Sequence, residues 1–553
     1  MTATGWHTHE VLNQAPELAD YNLYRHHPAL REAVEREGAG WAAARLDALG
    51  SEFGRRHWSE RAALANRHPP EFRPFDRYGH RIDAVDFHPA YHELMQLAIG
   101  SGLHCSPWAE PGPGAQVARA AAYLMFGEVE NGVQCPVTMT FAATPALRRN
   151  PALWQRVGNK LLARDYDPRL APLAAKPGIT VGMGMTEKQG GSDVRANTTV
   201  ARESAGGRWR LTGHKWFFSA PMCDAFLVLA QTSAGPSCFF MPRVLEDGAR
   251  NELRVQRLKD KVGNRSNASS EVEFLDAEAE LVGDEGRGIP TILEMGTLTR
   301  FDCALGSAGI LHQAVSQAVH HARHRSAFGR RLIDQPLMRS VLADLALESE
   351  AATALVLRLA RSHDSDDPAE VELRRVLTPA AKFWICKRLP HAVAEAMEVH
   401  GGNGYVEEAP VARLYREAPL NSIWEGSGNV MCLDVLRALS RRPETAAALR
   451  AEIEAAGGRN SRFDAAADRL AASLVSDRDL EPQARELTAA IAVLAQASLL
   501  LRFAPAPISE VFCALRLGEG RSDVFGQAAI DGDAALVIVE RVFAASPAAP
   551  AGG

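Results

Sequence analysis

The chain of 553 residues carries a formal net charge of −6 and a pI near 6.3, with 46% hydrophobic and 23% charged residues. Its length exceeds one compact core and sets an expectation of about three to four domains at roughly 150 residues each. The apolar-to-charged balance favours neither a disordered nor a fibrous body, and the acidic balance leaves nucleic-acid binding only to a local basic patch. Eight scattered cysteines (Cys105, Cys135, Cys223, Cys238, Cys303, Cys386, Cys432, Cys513) form no C-x-x-C pair, which argues against a zinc framework or a secreted disulfide scaffold and for a reducing, cytoplasmic setting.

The first residues lack a basic patch followed by an apolar run, so no export signal is expected. From 28 to 173 apolar residues recur at helical spacing; within 115–130, Val117, Ala121, Leu124, Met125 and Val129 share a face. This predicts an all-helical N-terminal domain over 1–177. The texture then changes to short β-branched and aromatic runs at 209–212, 226–230, 237–241 and 271–274, with Gly206-Gly207 as a hairpin turn, and predicts a β-domain over 178–284. Helical periodicity returns over 290–325, 336–363 and 370–400, with turns at Phe328-Gly329 and at 401–404, as in a helical bundle over 285–442. A helical C-terminal domain over 443–553 follows, ending in a small-residue tail from Ser546 that reads as disordered. Its most apolar stretch, 489–501, is shorter than a membrane span and holds Gln496, so no membrane anchor is expected. The fold class is therefore mainly α with a central β-domain.

Two clusters carry chemistry. Residues 182–193 read Gly-Met-Gly-Met-Thr-Glu-Lys-Gln-Gly-Gly-Ser-Asp, a loop able to present backbone N–H groups and hydroxyls to a flat polar ring or a phosphate, or simply a glycine-rich turn. Neither a Walker A loop nor a G-x-G-x-x-G after a strand is present, so a nucleotide would not be held in the Rossmann manner. The second cluster runs from Glu398 through Gly401, Gly402, Gly404 and Tyr405 to Glu408, Arg413 and Glu417, then Trp424-Glu425-Gly426-Ser427-Gly428-Asn429. Taken alone it is two helix-ending glycine turns.

Together, in this order and separation, the clusters resemble the two signature regions of the acyl-CoA dehydrogenase superfamily. The resemblance implies that family's fold, with a helical N-domain, a β-barrel-like middle domain and a helical bundle, and FAD as cofactor. It implies that Met185, Thr186 and Ser192 contact the isoalloxazine ring, that Phe217 and Ser219 lie against its dimethylbenzene and N5 side, and that Arg325 and Phe328 reach the FAD of a neighbouring subunit. Gly401 and Gly402 match the adenine-side turn, and Ser427 and Asn429 match further FAD contacts. The family's Gln after Phe-Gly is displaced here to Gln335. Glu425 matches the catalytic base that takes the α-proton of an acyl-CoA while the β-hydrogen leaves as hydride to the flavin. Arg300 matches an arginine near the substrate thioester, with an ion pair to Asp302 or Glu294 as an equal alternative.

Other constellations are weaker. His320 and His324 at i, i+4 suit a solvated helix face better than a metal, so no metal is expected. Lys259-Asp260-Lys261 and the arginines of 323–331 are candidate phosphate contacts.

Extra length at both ends, and the wording of the motifs, is similar to the adaptive-response (alkylation-response) branch of that superfamily. This implies a homotetramer, weak isovaleryl-CoA dehydrogenase activity, and double-stranded DNA bound through the C-terminal region. The alternative is a catabolic acyl-CoA dehydrogenase with extended termini; DNA binding with a purely structural flavin ranks below both because Glu425 is retained. From Arg441 onward there are 12 arginines, no lysine and 15 acids, a net of −3, so DNA would need Arg441, Arg442, Arg459 and Arg462 gathered from several subunits.

Overall fold

The computed structural model describes residues 8–474, 479–518 and 523–543; the tail from Ser546 lies outside them. The N-terminal region holds helices α1 (Pro28–Arg36), α2 (Ala43–Phe53), α3 (Arg56–Arg67), α4 (Pro89–Gly100), α5 (Ser106–Ala109), α6 (Ala115–Gly127), α7 (Gln134–Leu147) and α8 (Pro151–Leu161). Local chemistry starts several of them: Pro28, Pro89 and Pro151 sit at the first helical positions, where the missing N–H costs nothing, and Asn150 caps α8 by accepting from Leu153 N at 3.1 Å. The region is not all-helical. A hairpin of β1 (Glu71–Phe75) and β2 (Arg81–Asp86) interrupts it, turned by Asp76, whose carboxylate accepts from Tyr78 N and His80 N at 2.8 and 2.9 Å. Its alternation of exposed and half-buried residues is too short to stand out beside helical periodicity.

The middle of the chain forms β3 (Val181–Gly184), β4 (Val200–Ser204), β5 (Arg208–Ser219), β6 (Ala225–Thr232), β7 (Gly235–Pro242), β8 (Leu253–Leu258) and β9 (Ser269–Val282). Pairing runs β3-β6-β4-β5-β9-β7, and β7 also pairs with β6, so five strands close into a small barrel with β3 and β8 attached. Closure removes sheet edges, and the inward rings of Phe218, Phe226, Phe239 and Phe274 fill the interior.

The bundle is built on α9 (Gly288–His324), α10 (Pro336–Asp364) and α11 (Pro368–Val399), within two residues of the periodic segments at each end. A two-strand hairpin, β10 (Ser326–Ala327) and β11 (Arg330–Arg331), separates α9 from α10; α12 (Pro410–Glu417) and α13 (Gly428–Arg441) follow α11. Arg119 of α6 and Asp302 of α9 form a fully buried bidentate pair that also receives the Thr138 hydroxyl, locking the N-terminal helices to the bundle. Removing one partner of such a pair costs about 3–5 kcal/mol, because the other charge is left in the interior.

Helices α14 (Pro443–Glu454), α15 (Ser461–Leu474), α16 (Ala484–Phe503), α17 (Ala506–Leu517) and α18 (Gly532–Val542) complete the chain. They are riveted to the bundle by arginines. Arg358 bridges Glu370 and Glu452, Arg516 reaches Asp344 and Glu348, and Arg541 joins Glu350 to Glu32 of α1. The apolar run at 489–501 belongs to a longer element than the sequence suggests. Residues 481–503 are long and apolar enough to cross a membrane, with mean hydropathy 1.5, yet α16 is a core helix, buried against α10, α11 and α13.

Candidate active site

A cavity of about 530 Å³ lies where the barrel, α7, α9 and the loop before α13 meet. That is within the ~300–1,000 Å³ typical of small-molecule sites. Met185, Thr186, Ser192, Phe217, Ser219, Arg300, Glu425 and Ser427 all line it.

The barrel wall is set by a buried acid. Glu187 turns away from the cavity, and its carboxylate takes Lys215 Nζ at 2.8 Å, Thr198 N at 2.7 Å and Thr199 N at 3.1 Å. Burial alone would raise its pKa, but the Lys215 ammonium and these donors outweigh it and hold the carboxyl well below the usual range. The 185–192 loop is thereby tied at its root, and Trp216 N closes it by donating to Thr186 O at 2.8 Å. Gly191 is required by close approach, since a Cβ there would meet Thr186 Oγ1 at 2.3 Å. On β5 the strand alternation sends Phe218 into the barrel core and leaves Phe217, 53% exposed, and Ser219 on the cavity side.

The opposite wall is the loop 420–427. Glu425 has φ +58° and Gly426 φ +100°, two consecutive left-handed residues. Such a conformation costs of order 1–3 kcal/mol for a non-glycine residue and persists only where its surroundings enforce it. Here they do. Lys382 Nζ, 1% exposed on α11, donates to Trp424 O at 2.9 Å and Gly426 O at 2.7 Å, and Arg300 Nε donates to Glu425 O at 2.9 Å. The Glu425 carboxylate faces α9, where Thr299 Oγ1 donates to Oε2 at 2.6 Å. Arg300 pairs with neither Asp302 nor Glu294: Asp302 belongs to Arg119 and Glu294 to Arg149, while Arg300 Nη1 meets Asp434 Oδ2 at 2.9 Å. Its guanidinium therefore lines the cavity and braces the loop at once.

The remaining residues expected from the resemblance lie outside this cavity. Arg325 donates to Asn13 O, and Phe328 at the hairpin tip is 97% exposed with φ +54°. Gly401 and Gly402 form an exposed turn after α11, and Asn429 accepts from Arg485 at 2.8 Å. Gln335 braces the hairpin by donating to Ala327 O at 3.0 Å.

Lys259, expected as a phosphate contact, is paired with Glu271 at 2.7 Å and stacked 3.4 Å over Trp216. Lys261 instead lines the cavity; burial lowers its pKa to about 8, and it donates to Ser269 Oγ at 3.0 Å. The sequence reading also passed over Thr299 and Lys382. Both sit inside regular helices where nothing in the periodicity separates them from ordinary packing residues.

His320 and His324 are used locally, on Pro16 O and His320 O at 2.8 Å each. Among the described residues, His27, Glu128 and His312 bring possible ligand atoms within 4.8 Å of one another. The two imidazoles are stacked in parallel, 1° apart in plane and 3.5 Å between centroids, so no single ion can lie in the plane of both rings. The contact of His312 Nδ1 with Glu128 at 3.1 Å is a buried acid–imidazole pair.

Comparison with known proteins agrees with this geometry. Residues 182–277 match the acyl-CoA dehydrogenase middle domain, 286–440 the acyl-CoA dehydrogenase C-terminal domain, and 13–168 the N-terminal domain of the adaptive response protein AidB. The chain belongs to the acyl-CoA dehydrogenase family, whose members are FAD-dependent oxidoreductases. Within the family it is similar to AidB of Escherichia coli (strain K12), at 50% identity over 93% of this chain and 95% of the relative. Among solved structures, Caenorhabditis elegans ACDH-11 in complex with C11-CoA superposes with a TM-score of 0.82 at 25% identity, covering 99% of this chain and 95% of that one. An acyl-CoA dehydrogenase of Bacillus anthracis complexed with FAD shares the fold, with a TM-score of 0.62 at 19% identity over 82% of this chain and 86% of that one.

Proposed function

We propose that the protein dehydrogenates a short acyl-CoA thioester, isovaleryl-CoA-like in size, with Glu425 as base, and that it works as a homotetramer of the adaptive-response branch in the cytoplasm. The observation that carries this reading is the placement of the Glu425 carboxylate across one cavity from Met185, Thr186, Phe217 and Ser219. Bound there, FAD would supply the hydride acceptor. The chain's own work is to orient the thioester, with Arg300 and Thr299 beside the base, and to receive the α-proton on Glu425. Tyr123, Thr138 and Asp302 add polar groups to the lining, which suits a short acyl group better than a long alkyl chain. A panel of straight and branched acyl-CoA thioesters mixed anaerobically with the FAD-loaded protein tests this. Short branched members should bleach the flavin fastest, and preferential bleaching by long chains would refute the size assignment.

For the DNA-associated role, support comes from arginines rather than net charge. Arg442 is consumed by Glu372, but Arg441, Arg450, Arg459, Arg462 and Arg469 are exposed and have no ion pair among the described residues. Arg462 and Arg469, seven apart on α15, share one face of the helix, flanking its buried stripe of Phe463, Ala466 and Leu470. Weak, sequence-independent duplex binding is expected, its log affinity falling with log salt by about 0.9 per neutralised phosphate. Because α14–α18 are riveted to the bundle, the test is charge reversal of Arg459, Arg462 and Arg469, read by anisotropy across a salt series. Duplex binding absent even at low salt would favour the second reading, a catabolic acyl-CoA dehydrogenase without DNA; the net −3 of the C-terminal region is the observation on its side.

A further inference from the structure

Lys382 is an ammonium in the middle of α11, 1% exposed, with no carboxylate within 4.0 Å among the described residues. An unpaired buried charge is among the most expensive things a core can hold, and it is retained only where its protons are well used. Its hydrogen bonds to Trp424 O and Gly426 O flank a third carbonyl, Glu425 O, which is taken by Arg300 from α9. Three successive carbonyls are therefore held by two cations from two helices.

We infer that Lys382 is the positioning residue for the catalytic base, fixing the peptide plane before Glu425 and the plane after Gly426, with Arg300 on the plane between, so that the Glu425 carboxylate is delivered to the substrate side of the cavity. This rests on the reading of Glu425 as base. With both flanking carbonyls drawn inward to Lys382, the left-handed backbone at Glu425 sends the side chain the other way, to Thr299 and the cavity. A generic rivet would serve anywhere on the loop. Here the bonds bracket the one residue whose placement decides proton transfer, and a displacement of about 1 Å at such a point can cost ~10²-fold in rate.

The test uses the full FAD-loaded chain and a short 3-thia acyl-CoA, which has an acidic α-proton but no β-C–H to oxidise. On mixing, the α-C–H bond breaks, the proton passes to the Glu425 carboxylate, and the electron pair stays on the substrate as an enolate, seen as a long-wavelength charge-transfer band against the flavin. Wild type should form the band and Glu425→Gln should not; no difference between these two removes the base itself, whatever Lys382 does. Given that difference, Lys382→Met is expected to form the band at least about tenfold more slowly while binding the analogue within about threefold of wild type, and Lys382→Arg to recover part of the rate. Lys382→Leu, which likewise has no N–H donor, is judged by the same rate criterion if the Met variant does not fold with FAD. A wild-type rate of band formation in either neutral variant overturns the inference, as does an equal loss of rate and affinity that Lys382→Arg leaves unrestored.

Discussion

Glu425 and Phe328 share an unusual backbone, φ +58° and +54°, and have opposite surroundings. Around Glu425 the chain supplies its own restraint: Lys382 and Arg300 grip the carbonyls, and Thr299 meets the carboxylate. Phe328 is braced from behind by Gln335 and Arg325, the latter bound to Asn13 O, but its ring is 97% exposed. A strained backbone that presents a large apolar ring to water offers a surface for something outside the chain to cover. The difference separates a site held together within one chain from an exposed ring that the chain leaves uncovered, the feature on which the assembly proposed above can be tested.

The internal side of that contrast breaks most strongly at its buried ion pairs. Glu187→Gln leaves Lys215 unpaired at the root of the 185–192 loop and should cost about 3–5 kcal/mol of stability, measured by chemical denaturation. The pH dependence has a definite sign. Glu187 is held below its unfolded value, so its contribution is complete above the ordinary Glu pKa near 4.5 and fades as pH falls below it. The acid limb of the wild-type stability curve should flatten in Glu187→Gln, and an unchanged limb would show that other carboxylates govern it. Gly426→Ala tests the second left-handed residue, where a Cβ would approach Met431 Cε at 2.5 Å. We expect a loss of about 1–3 kcal/mol together with slower flavin reduction; a fully stable, fully active variant would mean that the loop is not constrained as described. On the external side, Phe328→Ser removes an exposed ring and should barely change the stability of a single chain, within ~0.5 kcal/mol, while weakening the tetramer and its hold on FAD. Light scattering of the variant as an intact, FAD-saturated tetramer would sever Phe328 from assembly.

What was legible in the sequence follows the same division. The long helices were readable to within a few residues because buried helices repeat their apolar pattern over many turns, and β5, β6, β7 and β9 because each carries a short β-branched or aromatic run. The β1–β2 hairpin was not, being five- and six-residue strands with little buried apolar surface, and neither was barrel closure through β6–β7, a long-range pairing without local signature. At the site, the glycine-bounded motifs led to Met185, Thr186, Ser192 and Glu425, because turns and close approaches leave marks in composition. Lys382 and Thr299 left none: each acts through a contact across 42 or 126 residues of chain, and within its own helix it is one polar residue among others. The partners of Arg300 were misjudged for a related reason. Nearness along the helix suggested Asp302, but that carboxylate points to the other side, into the Arg119 pair.

The central claim is that one carboxylate, on a loop this chain constrains by itself, performs the proton abstraction. Single-turnover reduction of the FAD-loaded protein by isovaleryl-CoA under anaerobic conditions, wild type against Glu425→Gln, tests it most directly. A loss of about 10²-fold or more in the rate, with FAD content and melting temperature unchanged, is the result predicted. Equal rates in the two proteins would contradict it and place the base elsewhere.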